Sequence, residues 1–163
     1  MSDKTLRKKL EAIKRQKIVS SKVVSLQDFR SLKSNVEVHT ILVVDDDDVM
    51  RNGLKRILDG EGYNVVLAAD GLELSRILET TRLDLIVLDV RLPWVDGVEL
   101  CQLIKTHYSL KSVPIIIMSD RRSREMVDRA IDAGADDFIA KPFEIDTILS
   151  IVNRLLLIPK TQN

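Results

Sequence analysis

From Ile41 onward, short apolar runs alternate with segments of helical spacing, and that alternation leaves few folds open. The runs are ILVV (41–44), NVVLA (64–68), LDLIVL (83–88), PIIIM (114–118) and DFIA (137–140). They are apolar nearly throughout and rich in β-branched residues, as strands covered on both faces should be. Between them, Val49, Leu54, Ile57 and Leu58 fall on one helical face, and Leu74, Ile77 and Leu78 on a second. Val98, Leu100, Leu103 and Ile104 make a third face, and Met126, Val127, Ala130 and Ile131 a fourth. A fifth takes Ile145, Ile148, Leu149, Val152 and Leu155 or Leu156. The glycine-bearing stretches DGEGYN, ADG and DAGADD punctuate these segments. Five strands alternating with five helices predict an α/β domain built on a parallel sheet. Right-handed crossovers then place every strand C-terminus on one edge, where such sheets bind ligands.

Reading the residue at each strand end gives a short set. The first strand runs into Asp45 and Asp46, followed by Asp47 and Asp48; the third ends at Asp89, the fourth at Ser119, and the fifth leads to Lys141-Pro142. In a sheet ordered 2-1-3-4-5, these ends converge at the point where the strand order reverses. Asp48 is expected to be the N-cap of the first helix, with Asp47 favouring its dipole. Asp45, Asp46 and Asp89 would repel one another unless a hard divalent cation sat among them, and oxygen ligands that leave water positions open favour Mg²⁺. A carboxylate can also act as a nucleophile toward phosphorus. Asp89, from the central strand and apart from the acidic pair, is the natural acceptor, with Lys141 and Ser119 placed to meet the transferred oxygens.

At this point the motifs ILVVDDDD, LIVLDVRLPWVDGVEL, PIIIMSD and AGADDFIAKPF resemble the receiver domain of two-component response regulators, over about residues 40–158. The resemblance implies a flavodoxin-like five-stranded parallel sheet with helices on both faces. By it, Asp89 is the phospho-acceptor, while Asp45 and Asp46 place Mg²⁺ with the backbone carbonyl of Arg91 as a further ligand. Ser119 is the switch hydroxyl, Lys141 pairs with a phosphoryl oxygen, and Phe138 is the aromatic that changes rotamer on activation. A cis bond before Pro142 is implied too, and Pro93 and Gly97 shape the loop after the acceptor. The implied partner is a sensor histidine kinase or a phosphotransfer protein. The output is contact with an unidentified downstream protein, with a homodimer left open. The domain is regulatory rather than an enzyme, although it promotes its own phosphorylation and dephosphorylation.

Some features stand apart from the family pattern. Asp120 replaces a small residue beside the switch hydroxyl, and its charge is expected to be met by Arg121 and Arg122. Arg91 stands where side chains of the family tune phosphoryl lifetime. Residues 1–39 carry ten Lys/Arg against four Asp/Glu, and residues 40–163 fifteen against twenty-one, so a +6 arm precedes a −6 body. In the arm, Leu6, Leu10 and Ile13 lie on one face of a short basic helix, and SLQD (25–28) reads as a capping box. With one aromatic and no recognition motif, nucleic-acid or membrane contact through the arm is not favoured. Residues 159–163 are expected to be a C-terminal tail, and no downstream effector domain is expected within this sequence. His39 and His107 read as linker and helix-end residues, and Trp94 as a semi-exposed surface aromatic. Cys101, the only cysteine, excludes an internal disulfide and reads as lying on the buried face or flank of the third helix. With no apolar h-region or membrane-length run, the expected location is cytoplasmic.

Two other readings compete. A Mg²⁺-dependent phosphatase with an aspartate nucleophile, of the haloacid-dehalogenase type, would need Asp-x-Asp where this chain has Asp89-Val90-Arg91. A degenerate receiver acting as a scaffold would have no need of the acids, hydroxyl and lysine that are present.

Overall fold

The computed structural model describes residues 37–157. In chain order the elements are β1 (Thr40–Val44), α1 (Asp48–Gly60), β2 (Asn64–Ala68), α2 (Gly71–Thr80) and β3 (Leu85–Asp89). They continue with β4 (Arg91–Leu92), β5 (Val95–Asp96), α3 (Gly97–Thr106), β6 (Ile115–Ser119), α4 (Arg124–Asp132), β7 (Asp137–Ala140) and α5 (Ile145–Leu157). The two helical readings within residues 1–36 lie outside the described residues.

Five strands form one parallel sheet in the order β2-β1-β3-β6-β7. This is the expected order 2-1-3-4-5, with the short antiparallel ribbon β4–β5 inserted after the central strand. The β3 run starts two residues later than the apolar pattern implies. Asp84 turns its carboxylate back to accept the Thr40 N–H at 2.9 Å, which holds it outside the ladder.

Alternate residues of the central strands enter separate apolar layers, because successive side chains point to opposite faces. Leu42, Val44, Ile86, Leu88, Ile115 and Ile117 pack with residues of α2, α3 and α4. Ile41, Val43, Leu85, Val87, Ile116 and Met118 pack with residues of α1 and α5. Each fully buried aliphatic side chain contributes about 1.5–3 kcal/mol, and this double layer is what makes the sheet a rigid platform.

The helix faces are right in outline and wrong at four positions. Val49, Leu103, Ile131 and Ile145 are exposed. Leu103 and Ile131 lie well round their helices from the buried stripe, whose place on α3 is completed by Cys101. Val49 and Ile145 lie in the first turns of α1 and α5. Among the described residues, no helix is long and apolar enough to cross a membrane.

Candidate functional site

The acidic run is divided by the end of β1. Asp45 is buried at 1% exposure and Asp46 is exposed. The first-helix cap differs from expectation. Asp47, with extended backbone, accepts the N–H groups of Val49 at 2.8 Å and Met50 at 3.2 Å, so it is the N-cap, and Asp48 is the first helical residue. The reason is local: Asp45 Oδ1 accepts the Asp47 N–H at 2.9 Å, which fixes the turn one residue earlier.

The carboxylates of Asp45, Asp46 and Asp89 offer oxygens that all lie within 4.8 Å of one another. Asp45 and Asp46 come from the end of β1, and Asp89 from the end of the adjacent β3, at the place where the strand order reverses. Lys141 reaches across from the end of β7, its Nζ donating to Asp45 Oδ2 at 2.7 Å and Asp89 Oδ1 at 2.9 Å. The Lys141–Pro142 bond is cis, as the resemblance implies.

Charge and burial shape the titration of this cluster. Asp89 is 6% exposed, and burial pushes its carboxyl above the usual carboxylate range. Lys141 opposes that rise through its hydrogen bond and charge, and Asp45 and Asp46 add to it. For Lys141, burial favours the neutral amine, but the hydrogen bonds and charges of Asp45 and Asp89 together outweigh it and hold the ammonium above its ordinary value. The donor set, three hard oxygens at one point with one cation for company, suits a small divalent ion.

Ser119 is 1% exposed at the end of β6, and its hydroxyl oxygen accepts the Arg121 N–H at 3.0 Å. Among the described residues it does not join the hydrogen bonds of the carboxylates. Phe138, at the start of β7, is half-buried against the layer that holds Leu88 and Ile117. The Arg91 side chain, on β4, points to solvent and pairs with Asp120. Thus the cation that meets Asp120 is Arg91, not Arg121 or Arg122; Arg122 instead donates to the Pro142 carbonyl at 3.3 Å.

Gly97 explains how the ribbon closes beneath Asp89. A Cβ there would fall 2.0 Å from the Asp89 carbonyl oxygen and 2.7 Å from Val90 Cα, and its N–H donates to the Val90 carbonyl at 2.7 Å. Trp94, in the β4–β5 turn, is 37% exposed and would touch a side chain at Gly71, which fits the semi-exposed reading. Cys101 is buried, and burial lifts its thiol to about 11. His39 Nδ1 lies 3.7 Å from Asp84 Oδ2.

Arg51 was not foreseen. Its guanidinium donates to the Asp45 carbonyl at 2.7 Å and pairs with Asp48, pinning α1 to the strand end that carries the acids. The available signal was a cation three residues after Asp48 on a helix.

Comparison with known proteins decides the family. The model of the response regulator receiver domain matches residues 41–153. The chain belongs to that family. It is 40% identical over 116 residues to the response regulator MprA of Mycobacterium sp. (strain KMS), a match covering 71% of this chain and 50% of that protein. The chain thus spans about half the length of the curated relatives it matches. Among solved structures, the signal receiver domain of a signal transduction histidine kinase from Syntrophus aciditrophicus superposes with TM-score 0.70 at 36% identity, covering 77% of this chain and 96% of that one. The chemotaxis protein CheY4 of Vibrio cholerae gives TM-score 0.68 at 30% identity, covering 73% and 99%.

Proposed function

We propose that this receiver domain is a phospho-acceptor switch that takes a phosphoryl group onto Asp89 from a histidine kinase or a phosphotransfer protein. The observation that carries it is the meeting of Asp45, Asp46 and Asp89 within 4.8 Å, bridged by Lys141. The receiver is taken as residues 40–158, with 1–39 a basic extension, 159–163 a tail, and the cytoplasm as its location.

In the transfer, an Asp89 carboxylate oxygen forms a bond to phosphorus as the bond from phosphorus to the donor nitrogen breaks, leaving a mixed anhydride. Asp45, Asp46, Asp89 and the Arg91 carbonyl would hold Mg²⁺, which when bound supplies the positive charge that lets an anion approach three carboxylates. Lys141, already hydrogen-bonded to Asp89, turns its ammonium to a phosphoryl oxygen. The Ser119 hydroxyl leaves the Arg121 N–H and donates to another. Its shift opens room that Phe138 fills, changing the surface of α4, β7 and α5 that a partner protein reads. Hydrolysis of the anhydride resets the domain.

The phosphatase reading has less support. The second residue after the acceptor is Arg91, an exposed cation paired with Asp120, which cannot serve as the general acid of that chemistry. The scaffold reading leaves unexplained why acids, lysine and hydroxyl meet at one strand edge.

The test is incubation with Mg²⁺ and acetyl phosphate or beryllofluoride. Stoichiometric labelling that Asp89→Asn abolishes is the expected result. Sustained turnover of an external phosphoester would establish the phosphatase instead, and refusal of both reagents by the folded wild type would establish the scaffold.

A further inference from the structure

A cleft of about 320 Å³ opens between the β4–β5 ribbon and α4, beside the acceptor site but separate from its carboxylates. Its floor is apolar: Leu92 and Val95 come from the ribbon and Met126 from the first turn of α4. Its rim carries three guanidiniums, of Arg91, Arg121 and Arg129, against the single carboxylate of Asp96. This is a cationic spot on a body whose net charge is negative.

The rim charges are not equivalent. Arg91 is engaged by Asp120, and Arg129 by Asp96 at 3.3 Å. Arg121 has no ion pair among the described residues, yet it is exposed on the loop between them. An occupant therefore meets one uncommitted guanidinium above an apolar floor. An inorganic anion would satisfy Arg121 and leave the floor wet. A nucleic-acid strand needs a track of cations, and here two of the three guanidiniums are already paired, which leaves one. The basic residues 1–39 would meet like charge.

We propose that this cleft docks an acidic peptide segment of a partner protein, with one apolar side chain seated on Leu92, Val95 and Met126 and a flanking carboxylate paired with Arg121. Carboxylate and guanidinium match as a two-pronged pair, and a single apolar side chain suits a volume at the small end of ligand sites. Its contacts use none of the side chains of Asp45, Asp46, Asp89 or Lys141, so occupancy of the cleft can be read in the unphosphorylated domain.

The experiment titrates the full-length chain, by amide and methyl NMR, with a capped hexapeptide in which a Leu-Phe pair is flanked on each side by two acidic residues. Saturable shifts at Leu92, Val95 and Met126 are expected, with affinity reduced about tenfold by Arg121→Glu, as for the loss of a charge-assisted contact. Val95→Asp, which places a carboxylate in the floor, should weaken binding at least as much. Each variant must keep the wild-type spectrum elsewhere and still take up beryllofluoride, which separates loss of this surface from loss of the fold or of the phospho-acceptor site. The proposal is overturned by absence of binding at millimolar peptide, or by shifts confined to residues 1–39. It is equally overturned by equal binding of a peptide with lysines replacing the acids, or by stronger binding of a single-stranded oligonucleotide at the same methyls.

Discussion

The guanidinium of Arg91 is ion-paired with the carboxylate of Asp120, so the segment after Asp89 is tied to the loop after Ser119. Each residue masks the charge of the other near the approach to Asp89. Removing either one unmasks a charge of opposite sign, so the two single variants should act in opposite directions.

Labelling by acetyl phosphate should therefore slow in Arg91→Ala, where Asp120 repels the anion, and quicken in Asp120→Ala, where Arg91 is free to attract it. Both side chains are largely exposed, so each effect should be about two- to fivefold, the scale of a screened charge worth roughly 1 kcal/mol or less. The double variant should fall between them, and 0.5 M salt should shrink all three differences. Initial rates across the four proteins check this; like-signed single effects would contradict it.

Asp89 carries an opposite kind of cost. Burial raises its pKa, so folding holds an ionised carboxylate where it is disfavoured at neutral pH. A group whose folded pKa exceeds its unfolded one gives a folded state that binds more protons, so stability rises as pH falls through the folded pKa. Asp89→Asn should accordingly raise Tm at pH 7 without divalent cation while abolishing phosphoryl uptake. Each kcal/mol of relief moves Tm by roughly 2–4 °C in a chain of this size. Calorimetry with and without Mg²⁺ checks it, since the cation should stabilise the wild type more than the variant.

Much of this was legible in the sequence because apolar periodicity and strand-end chemistry are local signals. Asp45, Asp46, Asp89 and Lys141 could be placed together once the sheet order was assumed, and in the structure the three carboxylates offer oxygens within 4.8 Å of one another while Lys141 hydrogen-bonds Asp45 and Asp89. What was missed depends on one-residue choices and on partners distant in sequence. Asp47 rather than Asp48 caps α1 because the buried Asp45 carboxylate takes the Asp47 N–H. Arg91 meets Asp120 across 29 positions, which no spacing rule reveals, whereas Arg121 and Arg122 were merely adjacent. Leu103 and Ile131 read as core because apolar spacing marks a stripe without fixing its edges.

Gly97 gives a steric test that is independent of charge. A methyl group there would lie 2.0 Å from the Asp89 carbonyl oxygen, and the obstacle is backbone, which cannot swing aside. Gly97→Ala should destabilise the domain by about 1–3 kcal/mol or more, the range for forced overpacking. The ribbon must shift to relieve it, so acetyl phosphate labelling should also slow. A urea midpoint unchanged from wild type would count against the tight approach.

Lys141 links stability, titration and chemistry in one substitution. Asp45 is buried at 1% exposure, and Lys141 is the cation hydrogen-bonded to both it and Asp89. Lys141→Met keeps much of the side-chain length but leaves two buried carboxylates without that partner, at a cost of about 3 kcal/mol, the low end for breaking a buried pair. The Lys141 ammonium is held above its ordinary value, so its contribution to wild-type stability is fully present below the unfolded lysine pKa and is lost as pH rises through the higher folded one. The deficit of the variant should therefore narrow at strongly alkaline pH, where the lysine loses its proton, and narrow again at acidic pH, where Asp89 gains one. Lys141 also lowers the Asp89 pKa, so its loss should move the Asp89 titration, followed by carboxyl ¹³C NMR without divalent cation, further up. Asp46→Asn should move it down, because Asp46 raises it. Opposite displacements by these two variants are the expected result, and no displacement by either would mean that burial alone sets the proton affinity of Asp89.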